Sequence, residues 1–131
     1  MMIAGVSGSP PYSVHARRLH DSAAARNCSA VNGDASNFAR LYLIPGMNHC
    51  SGGPATDQFD MLTPLVNWVE KGEAPDSVVA SARGTGNAGG VNADLPSAWA
   101  ANRTRPLCSY PKVARYNGSG SLESAASFTC Q

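Results

Sequence analysis

The chain is predicted to belong to the α/β class, on three observations. Phe38-Ala39-Arg40-Leu41-Tyr42-Leu43-Ile44 is a short apolar and aromatic run closed by Pro45-Gly46, the pattern of a largely buried strand ending in a turn. Beyond a loop holding Gly52, Gly53 and Pro54, the apolar residues Met61, Leu62, Leu65, Val66 and Val69 recur at three- and four-residue spacing, which gives an amphipathic helix. Ser77-Val78-Val79-Ala80-Ser81 then offers a further short strand. Strand, helix and strand in succession are the parts from which such folds are assembled.

The ends of the helix have their own signals. Asp60 is placed to cap it, which leaves Pro64 in the first turn, where a missing backbone N–H does little harm. Gly72 ends it and Pro75 forbids its return. Upstream, residues 14–26 are rich in helix formers, with Ser13 to cap and Asn27 to stop a polar helix. Downstream, residues 84–97 are rich in Gly, Asn and Ala and are expected to form a flexible surface loop. Trp99 is the one large apolar anchor before Pro106-Leu107-Cys108, Lys112 to Tyr116 is expected to be extended, and Leu122 to Phe128 to form a short helix. There is no internal repeat.

Composition excludes several classes. The 131 residues make one domain or a piece of one. Ten Lys and Arg against nine Asp and Glu give a net charge of +1, without the basic excess that binding a phosphate backbone requires, so nucleic acid is not an expected partner. Hydrophobic content of 43% with 15% charged residues places the chain on the folded side of the disorder boundary, and 13 Gly and 9 Pro promise many turns. No apolar run approaches the roughly 18 residues of a bilayer span, so no membrane partner is expected. Met1-Met2-Ile3-Ala4-Gly5-Val6 lacks the cationic region and apolar block of a secretory signal, so either the protein stays inside or its true start lies further upstream.

Four cysteines, Cys28, Cys50, Cys108 and Cys130, form no C-x-x-C pair, and His15, His20 and His49 are not at metal-ligand spacing to them, so no metal and no cofactor is expected. Two disulfides in any of three connectivities, or buried free thiols, both remain open on composition. Gly84-Thr85-Gly86-Asn87-Ala88-Gly89 matches G-x-G-x-x-G, but Gly90, Asn92 and Pro96 follow where a dinucleotide site needs a helix N-terminus. Asn27-Cys28-Ser29, Asn102-Arg103-Thr104 and Asn117-Gly118-Ser119 are glycosylation acceptors that matter only in a glycosylating compartment, and the basic cluster from His15 to His20 reads as a solvated helix face. The strongest chemical signal is His49, in the glycine-bracketed loop after the first strand. Active groups of open α/β sheets gather beyond the carboxyl ends of strands, where a loop histidine serves as a general base.

Residues Phe38 to Pro54, then Leu65-Val66-Asn67-Trp68-Val69-Glu70-Lys71-Gly72-Glu73-Ala74-Pro75-Asp76, closely resemble the C-terminal part of the tannase and feruloyl esterase family. Arg105-Pro106-Leu107-Cys108-Ser109-Tyr110-Pro111 and Tyr116-Asn117-Gly118-Ser119-Gly120 are similar to that family's ending. The likeness runs over residues 36–131, least specifically at 84–101, while residues 1–35 match poorly. It implies an α/β-hydrolase that cleaves esters of phenolic and aromatic acids with a Ser-His-Asp triad, and it makes His49 the triad histidine. This chain would be a C-terminal fragment of that fold, a single partial domain holding the last strands and helices of the sheet and a loop-rich tail. Cys50 matches a cysteine that the family bonds to one preceding the nucleophile, a partner absent here, and Cys108 and Cys130 match a second family disulfide. Family members are typically exported, so a secreted or periplasmic location is implied.

The chain departs from the family in what precedes His49. The order nucleophile, acid, histidine requires an upstream serine, yet there is no G-x-S-x-G, and Cys28-Ser29 lies too close and outside a strand-turn-helix context. The family's lid, with its calcium site, is absent. Met2 to Ser7 resembles the end of the strand that leads to the acid, but Gly8-Ser9-Pro10 stands where Asp-Pro is expected, leaving Asp21 and Asp34 as fallback acids. The resulting expectation is an esterase part that carries the general base and is inactive alone. A small disulfide-stapled binding domain using His49 structurally and a non-functional truncated product are the competing readings.

Overall fold

The computed structural model describes residues 2–6 and 35–131. The helix expected over 14–26, with Cys28, Asp21 and Asp34, lies outside the described residues. Strand β1 (Met2–Val6) pairs in parallel with β2 (Leu41–Pro45), in a register running from Met2 opposite Leu41 to Val6 opposite Pro45. β2 starts later than the apolar run does. A 3-10 turn at Ala35–Asn37 precedes it, Phe38 is exposed, and the Arg40 guanidinium donates to the carbonyl oxygens of Ser36 and Ala39.

Helix α1 (Leu62–Lys71) begins where one Asp60 carboxylate oxygen accepts from the N–H groups of Leu62 at 2.8 Å and Thr63 at 3.1 Å. It ends at Gly72, whose N–H donates to the Trp68 carbonyl at 3.0 Å while Glu73 donates to that of Asn67. Its apolar face is only half used. Met61 is buried and Leu65 and Trp68 are half-buried, with Arg40 stacked 4.8 Å from the Trp68 ring. Leu62 and Val69, however, are 70% and 78% exposed and form with Val66 an uncovered apolar stripe.

The expected strand at 77–81 is present, but it joins a separate antiparallel sheet instead of extending the parallel pair. That sheet has the order β3 (Gln58–Phe59), β4 (Ser77–Ser81), β5 (Thr104–Cys108). Val78 and Ala80 point into the core while Val79 between them is exposed, the two-residue period of a half-buried strand. β5 tolerates Pro106 because it is the outer strand of the sheet. Tyr42 forms a bridge with Ser109, and the Tyr110 N–H donates to the Leu41 carbonyl at 2.8 Å, which fastens the two sheets together. Their shared core is Tyr42, Ile44, Met47, Ala55, Met61, Val78, Ala80 and Leu107.

The short helix expected over Leu122 to Phe128 is corrected to one 3-10 turn, Ala125–Ser127, followed by β7 (Phe128–Cys130), which pairs antiparallel with β6 (Ala114–Tyr116). Tertiary partners override the local preference. Glu123 is drawn to an ion pair with Arg103 at 2.7 Å and accepts from the Ala100 N–H, and the Ala125 N–H donates to the Thr104 hydroxyl. Arg103 in turn lies 4.0 Å from the centre of the half-buried Trp99 ring. Cys108 and Cys130 are joined by a disulfide with their Cα atoms 5.5 Å apart. No helix of the described residues is long and apolar enough to cross a membrane.

The disulfide closes a sequence separation of 22 residues, so replacing Cys130→Ser is expected to cost about 3 kcal/mol through the freedom returned to the unfolded chain. Urea unfolding of the oxidised chain and the variant measures this, and equal midpoints would contradict it.

Candidate active site

The His49 loop springs from the end of β2 and returns upon itself. Met47 anchors the rising limb with its side chain in the core and its N–H directed at the Ile44 carbonyl, and the Asn48 N–H donates to the Gly52 carbonyl at 3.1 Å to close the neck. Gly46 and Gly53 have φ of 79° and 76°. A Cβ on Gly53 would collide with the Gly46 carbonyl oxygen, and one on Gly46 with that of Pro54, so the limbs can lie backbone against backbone only with glycine at both positions. This approach leaves His49 and Cys50 exposed at the tip, with Cys50 itself at φ 66°.

At the tip the structure brings together His49 and Cys50. The Cys50 sulfur is 3.0 Å from His49 Nδ1, and the thiol is free. Among the described residues no carboxylate bonds to the imidazole, and no cluster of three potential metal ligands forms. Cys108 and Cys130 belong to the β5–β7 staple instead.

The falling limb is held by residues that the sequence did not single out. The Gly52 N–H donates to Asp57 Oδ2 at 2.6 Å and the Gly53 N–H to Asp94 Oδ2 at 3.0 Å, while the side-chain amide of buried Asn92 donates to the Gly53 carbonyl at 2.8 Å. Asn92 also accepts from the Asp94 N–H at 3.0 Å. The Asp57 side chain is 0% exposed and is gripped by Arg83, with Nη2 2.5 Å from Oδ2 and Nε 3.1 Å from both oxygens. Arg83 reaches onward to the carbonyls of Gly89 and Gly90, and Asn87 bonds to Gln58, so the segment expected to be a flexible loop is pinned to the base of the His49 loop. Asp94 had one signal in the sequence, as the lone charged residue between positions 84 and 97. Asp57 and Arg83 had none stronger than opposite charge.

A cavity of about 450 Å³ opens elsewhere, along the other face of β2, lined among others by Leu43, Pro45, Leu107, Tyr110, Val113 and Phe128. His49 does not line it.

A strand-borne loop that exposes one histidine above glycine limbs is an arrangement suited to proton transfer, and the matches place it in a family. The model of tannase and feruloyl esterase matches residues 7–131, and the chain belongs to that family. It is 59% identical over 96 residues to mono(2-hydroxyethyl) terephthalate hydrolase of Piscinibacter sakaiensis, over 73% of this chain and 14% of that protein. It is 41% identical over 99 residues to a probable feruloyl esterase of Arthroderma benhamiae, over 74% of this chain and 16% of that one. Feruloyl esterase B from Aspergillus oryzae superposes with a TM-score of 0.58 at 26% identity, and the match takes in 98% of this chain and 26% of that one. The chain thus spans only a fraction of the length of the relatives it matches.

Burial pushes the Asp57 carboxyl up, but the hydrogen bonds from Arg83 and the Gly52 N–H, together with the Arg83 charge, outweigh it and hold the group below its usual range. A depressed folded value means that the stabilisation is complete above the unfolded value of about 3.9 and is lost as pH falls through the folded one. Unfolding free energy measured in urea at stepped pH should therefore drop below about pH 4, less steeply in Asp57→Asn. The same slope in both proteins would contradict this.

Proposed function

We propose that this chain supplies the histidine-bearing part of a carboxylic ester hydrolase acting on esters of phenolic and aromatic acids, with His49 as the general base. The observation that carries the reading is the placement of His49, at the exposed tip of a braced loop immediately beyond β2. In this role the imidazole takes the proton of a serine hydroxyl as its oxygen attacks the ester carbonyl, then returns a proton to the departing alcohol, and repeats the sequence with water. The parallel pair β1 and β2 fits the last two strands of an α/β-hydrolase sheet, in which the nucleophile and acid come earlier in the chain order. Neither stands beside His49 among the described residues.

Three further observations support the reading. Feruloyl esterase and mono(2-hydroxyethyl) terephthalate hydrolase, by their names, both act on esters of aromatic acids. The uncovered stripe of α1 and the open apolar cavity beside β2 are surfaces suited to packing against the remainder of a larger domain. The Cys108–Cys130 disulfide suits an exported protein, and Cys50 is free and beside the histidine, as the resemblance implies for a cysteine whose family partner would lie on another loop.

The purified 131-residue chain is expected to leave methyl ferulate and mono(2-hydroxyethyl) terephthalate unhydrolysed above background. Joined to the upstream part of a related feruloyl esterase that carries serine and aspartate, it should hydrolyse one of them. His49→Ala in that hybrid should lower kcat by roughly three orders of magnitude or more, as loss of a triad member does. A hybrid that keeps most of its activity without His49 would overturn the reading.

A further inference from the structure

We propose that Asp57 and Asp94 are positioning residues for His49: the two carboxylates, one locked by Arg83 and the other carried on a backbone whose N–H is bonded to Asn92, set the direction of the imidazole by fixing the amides of Gly52 and Gly53. The proposal rests on the reading of His49 as the general base and adds to it the residues that aim the base.

His49 and Cys50 are exposed, and among the described residues the ring has one hydrogen-bonding neighbour, the Cys50 sulfur. Side-chain packing at the tip therefore does not set the ring's direction, which passes to the backbone. The rising limb is fixed by Met47 in the core. The falling limb meets the core only at Ala55; before it Gly52 and Gly53 carry no side chain, so the course of these two residues is decided by the groups to which their N–H and C=O groups bond.

Those groups are charged and themselves restrained. The Gly52 N–H meets Asp57 Oδ2 at 2.6 Å and the Gly53 N–H meets Asp94 Oδ2 at 3.0 Å, both charge-assisted bonds and so among the stronger ones available. Asp57 has no freedom to follow a moving loop: it is fully buried, and Arg83 holds it through Nε and Nη2. Asp94 sits on an Asn92 side chain that takes the Gly53 carbonyl with its other end. The glycine pair is thus gripped on both of its N–H groups and on one carbonyl, by residues from two separate segments. Proton transfer needs the base within about 2.6–3.2 Å of its partner, and misplacement by about 1 Å costs roughly a hundredfold in rate.

The experiment uses the hybrid and the isolated chain in parallel. In the hybrid, Asp57→Asn and, separately, Asp94→Ala are expected to lower kcat by about 10- to 100-fold while KM stays within about twofold. In the isolated chain, amide exchange by NMR should quicken about tenfold or more at Gly53 in Asp94→Ala, with the core amides of Ala80 and Leu107 unchanged, and in Asp57→Asn it should quicken about tenfold more at Gly52 than at those core amides. Exposed Asp94 carries the test if the buried Asp57 variant fails to fold. Full kcat in both carboxylate variants, beside an inactive His49→Ala hybrid, overturns this proposal alone, whereas activity without His49 overturns the reading beneath it. If the hybrid shows no activity, the exchange decides: unaltered Gly52 and Gly53, or loss of protection shared equally by Ala80 and Leu107, counts against the proposal.

Discussion

Tyr42 and Ile44 of β2 are fully buried, and the placement of the elements packed around them follows from that burial. Each such side chain gains about 1.5–3 kcal/mol from leaving water, but only if the covering elements close over it. Met61 at the foot of α1, Val78 and Ala80 of β4 and Leu107 of β5 do so. The Tyr42 hydroxyl donates to the Pro75 carbonyl at 2.5 Å, which settles the polar tip of an otherwise apolar group and fastens the segment after α1. Burial raises the pKa of this phenol, so the hydroxyl stays a neutral donor. With β2 fixed in this way, the chain leaving Pro45 has one place to go, and the glycine limbs of the His49 loop begin there.

Beneath that loop, apolar packing gives way to charge. The Asp57–Arg83 pair is buried on the carboxylate side, where desolvation opposes the Coulomb gain, so the pair adds little net stability. Removing one partner is another matter, since it strands a buried charge at a cost of about 3–5 kcal/mol. What the pair provides is geometry: a carboxylate with fixed coordinates, to which a glycine amide can bond. The same logic appears at Arg103, Glu123 and Ala100, where an ion pair with an added backbone donor joins the tail to the loop before β5. The first pair prolongs the contact between β3 and β4 beyond their short ladder, and the second ties together segments that share none.

Local signals explain what could be read from the sequence. β2, α1 and β4 announce themselves through an apolar run, a helical period and a β-branched pair, and the Asp60 and Gly72 ends of α1 are short-range as well. β5 was missed because Arg105 and Pro106 spoil its pattern, and only pairing with β4 makes it a strand. The tail from Leu122 was misread because Glu123 and Ala125 bond to residues about twenty positions earlier. His49 stood out by its glycine frame, but its supports did not, since Asp57 and Arg83 are 26 residues apart and Gly53 and Asp94 41 apart. The Cys108–Cys130 pairing came from family likeness, and spacing alone left it open.

The central claim is that this loop delivers a general base to a nucleophile supplied by another part of the fold. The most direct measurement is a crystal structure of the hybrid esterase after a phosphonate has captured its serine. His49 Nε2 is expected within about 3 Å of the serine Oγ or of the phosphonate oxygen that mimics the leaving group, with the Gly52 and Gly53 amides still on Asp57 and Asp94. An imidazole turned to solvent, several ångströms from the labelled serine, would contradict the account.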